Sequence, residues 1–361
     1  MEDLVNPWHN RKVFLTGHTG FKGSWLALSL ASLGAKVRGY ALDPATNPNM
    51  FTAASVADVI DDVRGDIREA SKVVASMVEF APEVVFHLAA QPLVRHSYMD
   101  PVGTYATNVM GTVHVLEAVR NTPSVRAVVC ITTDKCYQNK EWVWPYRETD
   151  PLGGYDPYAS SKACAEIVAA AYRSSYFPAD KDRVDVPRVA IATARAGNVI
   201  GGGDWSEDRL IPDLIRGFQS KQPVLIRRPK AIRPWQHVLE PLEGYILLAE
   251  MLLARRSEFA SAYNFGPSDE DTWSVGSIAT KLAQLWGEGA SWVADVVPGP
   301  HEAHFLRLDS SRAHTELVWR PRLKIAEALE WTIEWYRAWQ KGSDMRSVTL
   351  RQITTFQGLG R

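Results

Sequence analysis

The sequence predicts an α/β protein in which a doubly wound parallel sheet is followed by a smaller mixed α/β lobe at the C-terminal end. Three observations support this prediction. An apolar segment runs into a glycine-rich turn at residues 13–23, and strand-like and helix-like segments then alternate as far as residue 196. From Gly197 onward, loops rich in glycine and proline separate the helical patterns. Alternation of this kind is typical of a Rossmann sheet, and 361 residues suffice for two lobes.

The first unit is a strand, a tight turn and a helix. Residues 13–16 are the apolar and β-branched residues of a buried strand, and residues 21–33 carry apolar positions at helical spacing. Gly17 and Gly20 permit positive φ and close approach of the backbone, and Gly23 lets the helix pack on the strand. We expect this turn to hold the pyrophosphate of a dinucleotide at the helix N-terminus, through Gly17, Thr19, Gly20, Phe21, Lys22 and Gly23.

The second strand, predicted over residues 35–42, ends beside Asp43, about twenty residues after Gly23. An acid in this place can bind the ribose hydroxyls of NAD and disfavours NADP. The alternative is that Asp43-Pro44 only opens a turn, with Arg38 nearby, and the sequence leaves both open.

Two further strands complete the predicted cofactor side, over residues 59–63 and 84–90. The first is followed by Asp66 and Ile67, where an adenine ring would lie, and the second ends in Leu88, Ala89 and Ala90, where small side chains let a cofactor approach. Ligands of open α/β sheets bind at this carboxyl edge.

The fifth strand ends at the same edge, and Thr133, Asp134 and Lys135 follow it, so we expect them to be catalytic. The remaining elements of this half are predicted as a helix over 105–119, a strand over 127–132, an aromatic loop over 137–154, a helix over 158–176 and a strand over 189–195.

We place the NAD-binding domain at residues 1–196, with a return segment near 233–257. The second, substrate-facing lobe takes residues 197–232 and 258–341, and residues 342–361 are predicted to be a loosely attached tail. The predicted helices of this half cover residues 239–253, 275–286 and 325–339, and the predicted strands cover 224–227, 263–265 and 292–297.

Composition narrows the class of function. Forty basic and 41 acidic residues give a net charge of −1, which argues against a nucleic-acid partner. The sequence contains neither an 18-residue apolar run nor an N-terminal signal pattern, so we expect no membrane partner and a cytoplasmic protein. The three cysteines lack a C-x-x-C pair, and His301-Glu-Ala-His304 has i, i+3 spacing instead of the zinc spacing H-E-x-x-H, so no metal is predicted.

Tyr158 and Lys162 stand one helical turn apart, so both side chains leave the same face of a helix. A nearby ammonium favours the phenolate and lowers the pKa of the tyrosine, which can then take a proton from a sugar hydroxyl as hydride leaves carbon. A surface pair on the helix is the alternative, and the preceding strands and glycine turn favour the catalytic interpretation.

The chain resembles the extended short-chain dehydrogenase/reductase family through four motifs in the family's order. They are Gly17-x-x-Gly20-x-x-Gly23, His87-Leu-Ala-Ala90, Asn108-Val-Met-Gly-Thr112 and Tyr158-x-x-x-Lys162. Further motifs are similar to the nucleotide-sugar 4,6-dehydratases of that family that act on CDP-glucose. These are residues 17–25, Thr133-Asp-Lys-Cys-Tyr137, residues 195–205, Arg233-Pro-Trp-Gln-His237 and His301-Glu-Ala-His304.

The resemblance implies tightly held NAD, CDP-glucose as substrate, and a homodimer formed through the two long helices. It implies oxidation at C4, loss of water across C5 and C6, and return of hydride to C6, with a role in dideoxysugar and O-antigen biosynthesis. Tyr158 would be the base at C4, Lys162 would bind the nicotinamide ribose, Thr133 the 4-oxygen and Asn108 the cofactor side. Asp134 is the expected acid for the departing C6 hydroxyl.

The substrate side is predicted from two arginines and from the resemblance. Planar guanidinium groups suit a pyrophosphate, so Arg209 and Arg233 are candidates for that role. By resemblance alone, the remaining substrate residues are Asn198, Leu210, His237, Asn264 and His301.

Lys135 departs from the dehydratase pattern, in which glutamate usually follows the acid and removes the C5 proton. Because an ammonium cannot accept a proton, Lys135 either has a lowered pKa or acts electrostatically while another group removes the proton. Two other functions stay open. A 4-epimerase or reductase of the same family would not need the Asp134-Lys135 pair, and a non-catalytic NAD-sensing protein would not need Tyr158 and Lys162.

Overall fold

The computed structural model describes residues 6–178, 189–268, 271–295 and 305–360. The strands are β1 (Lys12–Thr16), β2 (Lys36–Ala41), β3 (Asp61–Arg64), β4 (Val84–His87), β5 (Ala127–Ile131), β6 (Ala190–Ala196), β7 (Val199–Ile200), β8 (Val224–Ile226), β9 (Ile232–Arg233), β10 (Gln236–His237), β11 (Ala262–Phe265), β12 (Trp273–Ser274) and β13 (Trp292–Ala294). The α-helices are α1 (Phe21–Ser32), α2 (Met50–Ala53), α3 (Ala70–Phe80), α4 (Val94–Met99), α5 (Pro101–Tyr105), α6 (Gly111–Arg120), α7 (Pro157–Ser175), α8 (Leu210–Gln219), α9 (Leu239–Arg255), α10 (Val275–Trp286), α11 (Ser311–Glu316), α12 (Ile325–Gln340) and α13 (Met345–Gly358).

The main sheet has seven parallel strands in the order β3-β2-β1-β4-β5-β6-β11. This order confirms the predicted doubly wound Rossmann sheet. The strand order reverses at β1 and β4, and such a switch point opens a crevice at the carboxyl edge where ligands bind. The turn after β1 therefore lies where a dinucleotide is expected.

Both faces of the sheet are covered by helices, because the strands alternate buried apolar side chains between the two sides. Val13 and Leu15 of β1 belong to the core that includes α1, α9, α12 and α13. Phe14, between them, belongs to the core formed with α3, α6 and α7. Burial on both faces explains why these strands read as continuous apolar runs.

Two parts of the predicted domain plan are corrected. β11 pairs with β6, so the chain returns to the main sheet as far as residue 265, beyond the predicted limit of 257. The prediction of a loosely attached tail is wrong, because residues 345–358 form α13, whose Met345, Val348 and Phe356 are buried in the core of α1 and α12.

The smaller lobe stands over the carboxyl edge of the sheet. Its strands form two-stranded pairs, β7 with β10, β9 with β12, and β8 with β13, accompanied by α8 and α10. The helix α8 was not predicted, although its buried Ile211, Leu214 and Phe218 have helical spacing. Within the described ranges, no helix has both the length and the apolar character needed to cross a membrane.

Candidate active site

A cleft of about 1410 Å³ separates the carboxyl edge of the sheet from the smaller lobe. Most of the predicted site residues line this cleft. They are Gly17, Thr19, Gly20, Phe21, Lys22, Gly23, Asp43, Asp66, Ile67, Leu88, Ala89, Ala90, Thr133, Lys135, Tyr158, Lys162, Asn198, Arg209, Leu210 and Arg233. Asn108, Asp134, His237 and Asn264 are buried outside this lining, and His301 lies outside the described residues.

The glycine turn leaves space where side chains would otherwise stand. Gly17 has φ of +77°, and a Cβ built on it would lie 2.7 Å from the amide nitrogen of Ala89. A Cβ on Gly23 would lie 2.1 Å from the carbonyl oxygen of Gly17. Both positions therefore require glycine, and the N-terminus of α1 opens directly onto the cleft. This cradle fits the pyrophosphate of NAD, because unblocked amides at a helix N-terminus bind anions.

Asp43, the acid predicted to bind the ribose hydroxyls, lines the cleft. It has a cationic neighbour that the sequence did not reveal. The side chain of Asp43 is 91% exposed, and Arg64 of β3 approaches its carboxylate to 3.6 Å. Arg38 instead pairs with Asp61 and Glu79 at 2.5 and 2.9 Å, so it is directed away from Asp43. Asp43 and Arg64 thus form a partly exposed ion pair at the edge of the cleft.

The next acid on the cofactor side, Asp66, is held by Arg68 through bonds of 2.6 to 3.0 Å. These hydrogen bonds lower the pKa of the Asp66 carboxyl. Asp66 is therefore an ionised acceptor beside the space predicted for the adenosine.

Asn108 supports the cofactor wall from behind. Its amide oxygen accepts the amide of Gln91 at 2.9 Å, and its amide nitrogen donates to the Gln91 carbonyl and to the Ser161 hydroxyl. In this structure Asn108 therefore ties the loop after β4 to α7.

His87 has a similar supporting role. It joins Thr16 at 2.8 Å to Thr112 at 3.1 Å, and burial lowers the pKa of its imidazole to about 3. A neutral His87 thus connects the ends of β1 and β4 to α6.

Tyr158 and Lys162 stand on the buried face of α7, as their spacing predicted. Asp156 caps this helix by accepting the amide of Ala159, and Pro157 occupies its first turn. Thr133 lies close enough to the Tyr158 hydroxyl to lower its pKa, and Lys162 Nζ donates to the Ile131 carbonyl at 3.2 Å. The helix thus aligns both side chains with the end of β5.

The pKa values of this pair differ from the prediction that Lys162 lowers the pKa of Tyr158. Burial raises the pKa of Tyr158 to about 12, although Thr133 and Arg209 oppose the rise. Burial lowers the pKa of Lys162 to about 8. Desolvation therefore outweighs the lowering of the tyrosine pKa that the i, i+4 spacing suggested.

Lys22 adds a second buried amine to the cleft. Its Nζ donates to the hydroxyl of Tyr245 at 3.0 Å, and that partner is 223 residues away in the chain. Burial, together with the charges of Lys162 and Arg209, lowers the pKa of Lys22 to about 7. No local pattern could have predicted the partner.

Asp134 and Lys135 form the turn that follows β5. Thr133 donates to Asp134 Oδ1 at 3.0 Å, and Lys135 Nζ lies 3.6 Å from the same oxygen. The other oxygen of the buried carboxylate, Oδ2, has no hydrogen-bond partner among the described residues. The turn therefore places an acid, a cation and a hydroxyl beside Tyr158.

The substrate side is cationic. Arg209 pairs with Asp204 at 3.0 Å, and Arg233 lines the same cleft. Arg95 of α4 and Arg227 of the smaller lobe both approach Asp208, at 2.9 and 3.8 Å. The sequence showed Arg209 and Arg233 but missed Arg95, which lies far away in the chain.

His237 and Asn264 are placed differently from their prediction as substrate contacts. His237 is packed between the rings of Trp25 and Trp331. Asn264 is wholly buried and accepts the hydroxyl of Tyr137 at 2.7 Å. Both belong to the packing beneath the cleft in this structure.

The described residues contain no group of three or more His, Cys, Asp or Glu side chains that could hold a metal ion. The His301-Glu-Ala-His304 motif falls outside those residues.

Comparisons with known proteins agree with this fold. The family model described as "NAD dependent epimerase/dehydratase family" matches residues 13–266. The chain is 53% identical over 352 residues to the CDP-glucose 4,6-dehydratase of Salmonella typhimurium, covering 97% of each protein. It is 26% identical to the UDP-glucose 4-epimerase of Mycolicibacterium smegmatis, covering 90% of this chain and 98% of that protein. The fold is shared with DesIV, the dTDP-glucose 4,6-dehydratase of Streptomyces venezuelae solved with NAD and TYD bound, at a TM-score of 0.76 and 23% identity, covering 93% of this chain and 99% of that one.

Proposed function

Since the chain belongs to the NAD-dependent epimerase/dehydratase family, we propose that it converts CDP-glucose to CDP-4-dehydro-6-deoxyglucose and water. The observation that carries the proposal is the grouping of Thr133, Lys135 and Tyr158 on the wall of one cleft, with Asp134 buried directly behind that wall in contact with Thr133 and Lys135. The likeness to the Salmonella dehydratase over nearly the whole chain supports the same substrate. The protein is thus a hydro-lyase whose cofactor is NAD.

Oxidation at C4 is the first step. NAD, held by the glycine turn and by Lys162, would supply the acceptor for hydride from C4 and the donor of hydride to C6. Tyr158 removes the proton of the C4 hydroxyl, and Thr133, next to Tyr158, holds the oxygen that becomes the ketone. Because burial holds the pKa of Tyr158 near 12, its ionisation needs positive charge in the cleft. Arg209 lowers that pKa, and Lys162, on the same helix face as Tyr158, is the second cation proposed for this role.

Loss of water follows, because the 4-ketone makes the C5 proton acidic. Asp134 gives a proton to the departing C6 hydroxyl. Lys135 either removes the C5 proton as a neutral amine, or stabilises the enolate as a cation while another group removes that proton. Its Nζ lies 3.6 Å from Asp134, next to the proposed proton donor. Arg209 and Arg233 bind the diphosphate, since both line the opposite wall of the cleft.

The second candidate is a nucleotide-sugar 4-epimerase, favoured only by the shared fold and the Tyr158–Lys162 pair. An epimerase does not need the proton donor Asp134 and the cation Lys135 that follow Thr133, whereas a dehydratase needs both. The buried Asp134 therefore favours dehydration over epimerisation.

Product analysis tests this choice directly. Purified protein is incubated with CDP-, UDP- and dTDP-glucose, and the products are weighed by mass spectrometry. We expect loss of one water from CDP-glucose only. A 4-epimer of unchanged mass would overturn the proposal in favour of the epimerase.

We also propose a homodimer in the cytoplasm, in dideoxysugar and O-antigen biosynthesis. Exposed apolar side chains on α4, α5 and α7 support the dimer, including Met99, Val102 and Ile167. Three free thiols support a reducing compartment. Sedimentation of the purified protein tests the dimer.

A further inference from the structure

A buried ion pair lies beneath the turn that carries Thr133, Asp134 and Lys135. Glu166 of α7 accepts two bonds from Arg195 of β6, at 2.9 and 2.8 Å, and both side chains are almost fully buried. Neither side chain is among the residues that line the cleft. The pair is therefore close to the reacting groups without touching them.

The acidic member holds the start of the turn. Glu166 accepts the hydroxyl of Thr132 at 2.5 Å and that of Thr193 at 2.7 Å. Thr132 directly precedes Thr133, so this bond fixes the point at which the chain leaves β5.

The basic member holds the end of the same turn. Arg195 Nη1 donates to the hydroxyl of Tyr137 at 2.8 Å, and Tyr137 donates to Asn264 of β11 at 2.7 Å. The short 3₁₀ turn Asp134–Cys136 is thereby fastened at both ends to one charged pair.

The same pair also sets the turn relative to Tyr158. Tyr158, Lys162 and Glu166 follow one another at four-residue spacing on one face of α7. Lys162 binds the carbonyl of Ile131, and Glu166 binds the side chain of the next residue, Thr132. The helix that carries the C4 base is thus tied to the segment that carries the elimination groups.

We propose that Glu166 and Arg195 are positioning residues that hold Thr133, Asp134 and Lys135 in register with Tyr158. This inference rests on the proposed dehydratase function. It assigns the ion pair a role in turnover beyond stability, because replacing a buried ion pair by hydrophobic residues of similar volume is often neutral or even stabilising. Misplacement of reacting groups by about 1 Å can cost roughly a hundredfold in rate.

Two variants and one matched control distinguish an effect on the position of the turn from an effect on the stability of the protein. Glu166→Gln removes the charge, and Tyr137→Phe removes only the hydroxyl that Arg195 binds. Glu243→Gln removes the charge from a second largely buried pair, Arg322–Glu243 at 3.0 Å, which lies on α9 away from the turn. Each variant is checked for thermal unfolding and for NAD content before it is assayed.

We expect Glu166→Gln to lower kcat by about a hundredfold and Tyr137→Phe by about tenfold, while KM for CDP-glucose changes less than about threefold. Tyr158 and Lys162 stay on their helix, so C4 oxidation is less affected than elimination. The near-ultraviolet absorbance of reduced nicotinamide should therefore rise during turnover in both variants. Glu243→Gln should lower the stability of the protein without lowering kcat and without accumulation of reduced nicotinamide.

Equal kcat values for Glu166→Gln and Glu243→Gln, at a temperature where both are folded, would overturn the positioning role. If Glu166→Gln fails to fold, the milder Tyr137→Phe decides, and unchanged kcat with no accumulation of reduced nicotinamide would overturn the inference. The wild type assayed in parallel tests the proposed function separately. Failure of the wild type to remove water from CDP-glucose defeats that function, whereas normal wild-type turnover with unaffected variants defeats only the positioning role.

Discussion

Asp134 is the residue on which the proposed chemistry depends most. One carboxylate oxygen contacts Thr133 and Lys135, and the other has no partner within the described part of the chain. An unpartnered oxygen in a wholly buried carboxyl is costly unless a bound molecule uses it. The free oxygen is therefore the candidate proton donor to the C6 hydroxyl.

Replacing Asp134 by asparagine should separate the two halves of the reaction. The amide keeps the size of the side chain but cannot donate the proton that water loss needs, so C4 oxidation continues and dehydration slows by at least about a hundredfold. Rapid-quench analysis of CDP-glucose turnover should show the 4-ketone before dehydration. A normal dehydration rate would remove Asp134 from the mechanism.

Lys135 is one-third exposed, and its role is tested by exchange at C5. Lys135→Met keeps the length of the side chain and removes the amine, so it should retain NAD and slow exchange of the C5 hydrogen with deuterated solvent by about tenfold or more. Exchange is followed by mass spectrometry, with Lys140→Met, in the neighbouring loop, as the control. Unchanged exchange would exclude Lys135 from this step.

Residues that form local patterns were predictable, and residues that pair across the chain were not. The glycine turn and the Tyr158–Lys162 pair could be predicted from residue spacing alone, because the local geometry of a turn or a helix fixes which groups share one face. The Arg64–Asp43 and Lys22–Tyr245 contacts depend on tertiary packing. His237 and Asn264 lie behind the cleft wall, and motif membership does not distinguish a residue on the wall from one behind it.

At the scale of elements, α9 carries a buried acid that connects the sheet to the C-terminal region. Glu240 accepts the backbone amides of Arg322 and Leu323 at 2.9 and 2.7 Å. Burial raises the pKa of its carboxyl from 4.5 to about 7. The carboxyl thus anchors the segment that precedes α12.

This shift predicts a dependence of stability on pH. Because the folded-state pKa is the higher one, the folded protein binds more protons between about pH 4.5 and 7, and the resulting stability is lost as the pH rises through about 7. Glu240→Gln cannot ionise, so its free energy of unfolding should gain about 2 kcal/mol relative to wild type between about pH 5 and 8.

Urea denaturation at several pH values measures this difference. Glu334→Gln, on the exposed face of α12, is the control and should follow the wild type. If the free energies of unfolding of wild type and Glu240→Gln change with pH in parallel, Glu240 does not titrate in this range.

The predicted elements of the first half agree with the structure within a few residues, because apolar strands and amphipathic helices have distinct periods. The second half was harder to predict. β11 is a short apolar strand whose partner, β6, precedes it by about 70 residues, and periodicity does not reveal a strand's partner. α13 has few apolar residues, and only its contacts with α1 and α12 show that it is a packed helix.

For the whole molecule, the proposed return of hydride to C6 predicts that hydride stays with one substrate molecule. A mixture of C4-deuterated CDP-glucose and uniformly ¹³C-labelled CDP-glucose is converted in the presence of excess free NAD. We expect deuterium only at C6 of the product without ¹³C, because a returned hydride requires the cofactor to be retained. Deuterium in the ¹³C product would show that the cofactor dissociates during turnover.

The pairing of β11 with β6 limits how this protein can be divided or recombined. A fragment that stops at residue 196 would expose the edge of β6, remove the α9 cover from the sheet and leave α1 without α13. A chimaera that takes its substrate lobe from a relative through a single crossover point would have the same defects. A functional chimaera therefore has to transfer two separate inserts, before α9 and after β11, while the native α9, β11 and α13 remain with their own sheet.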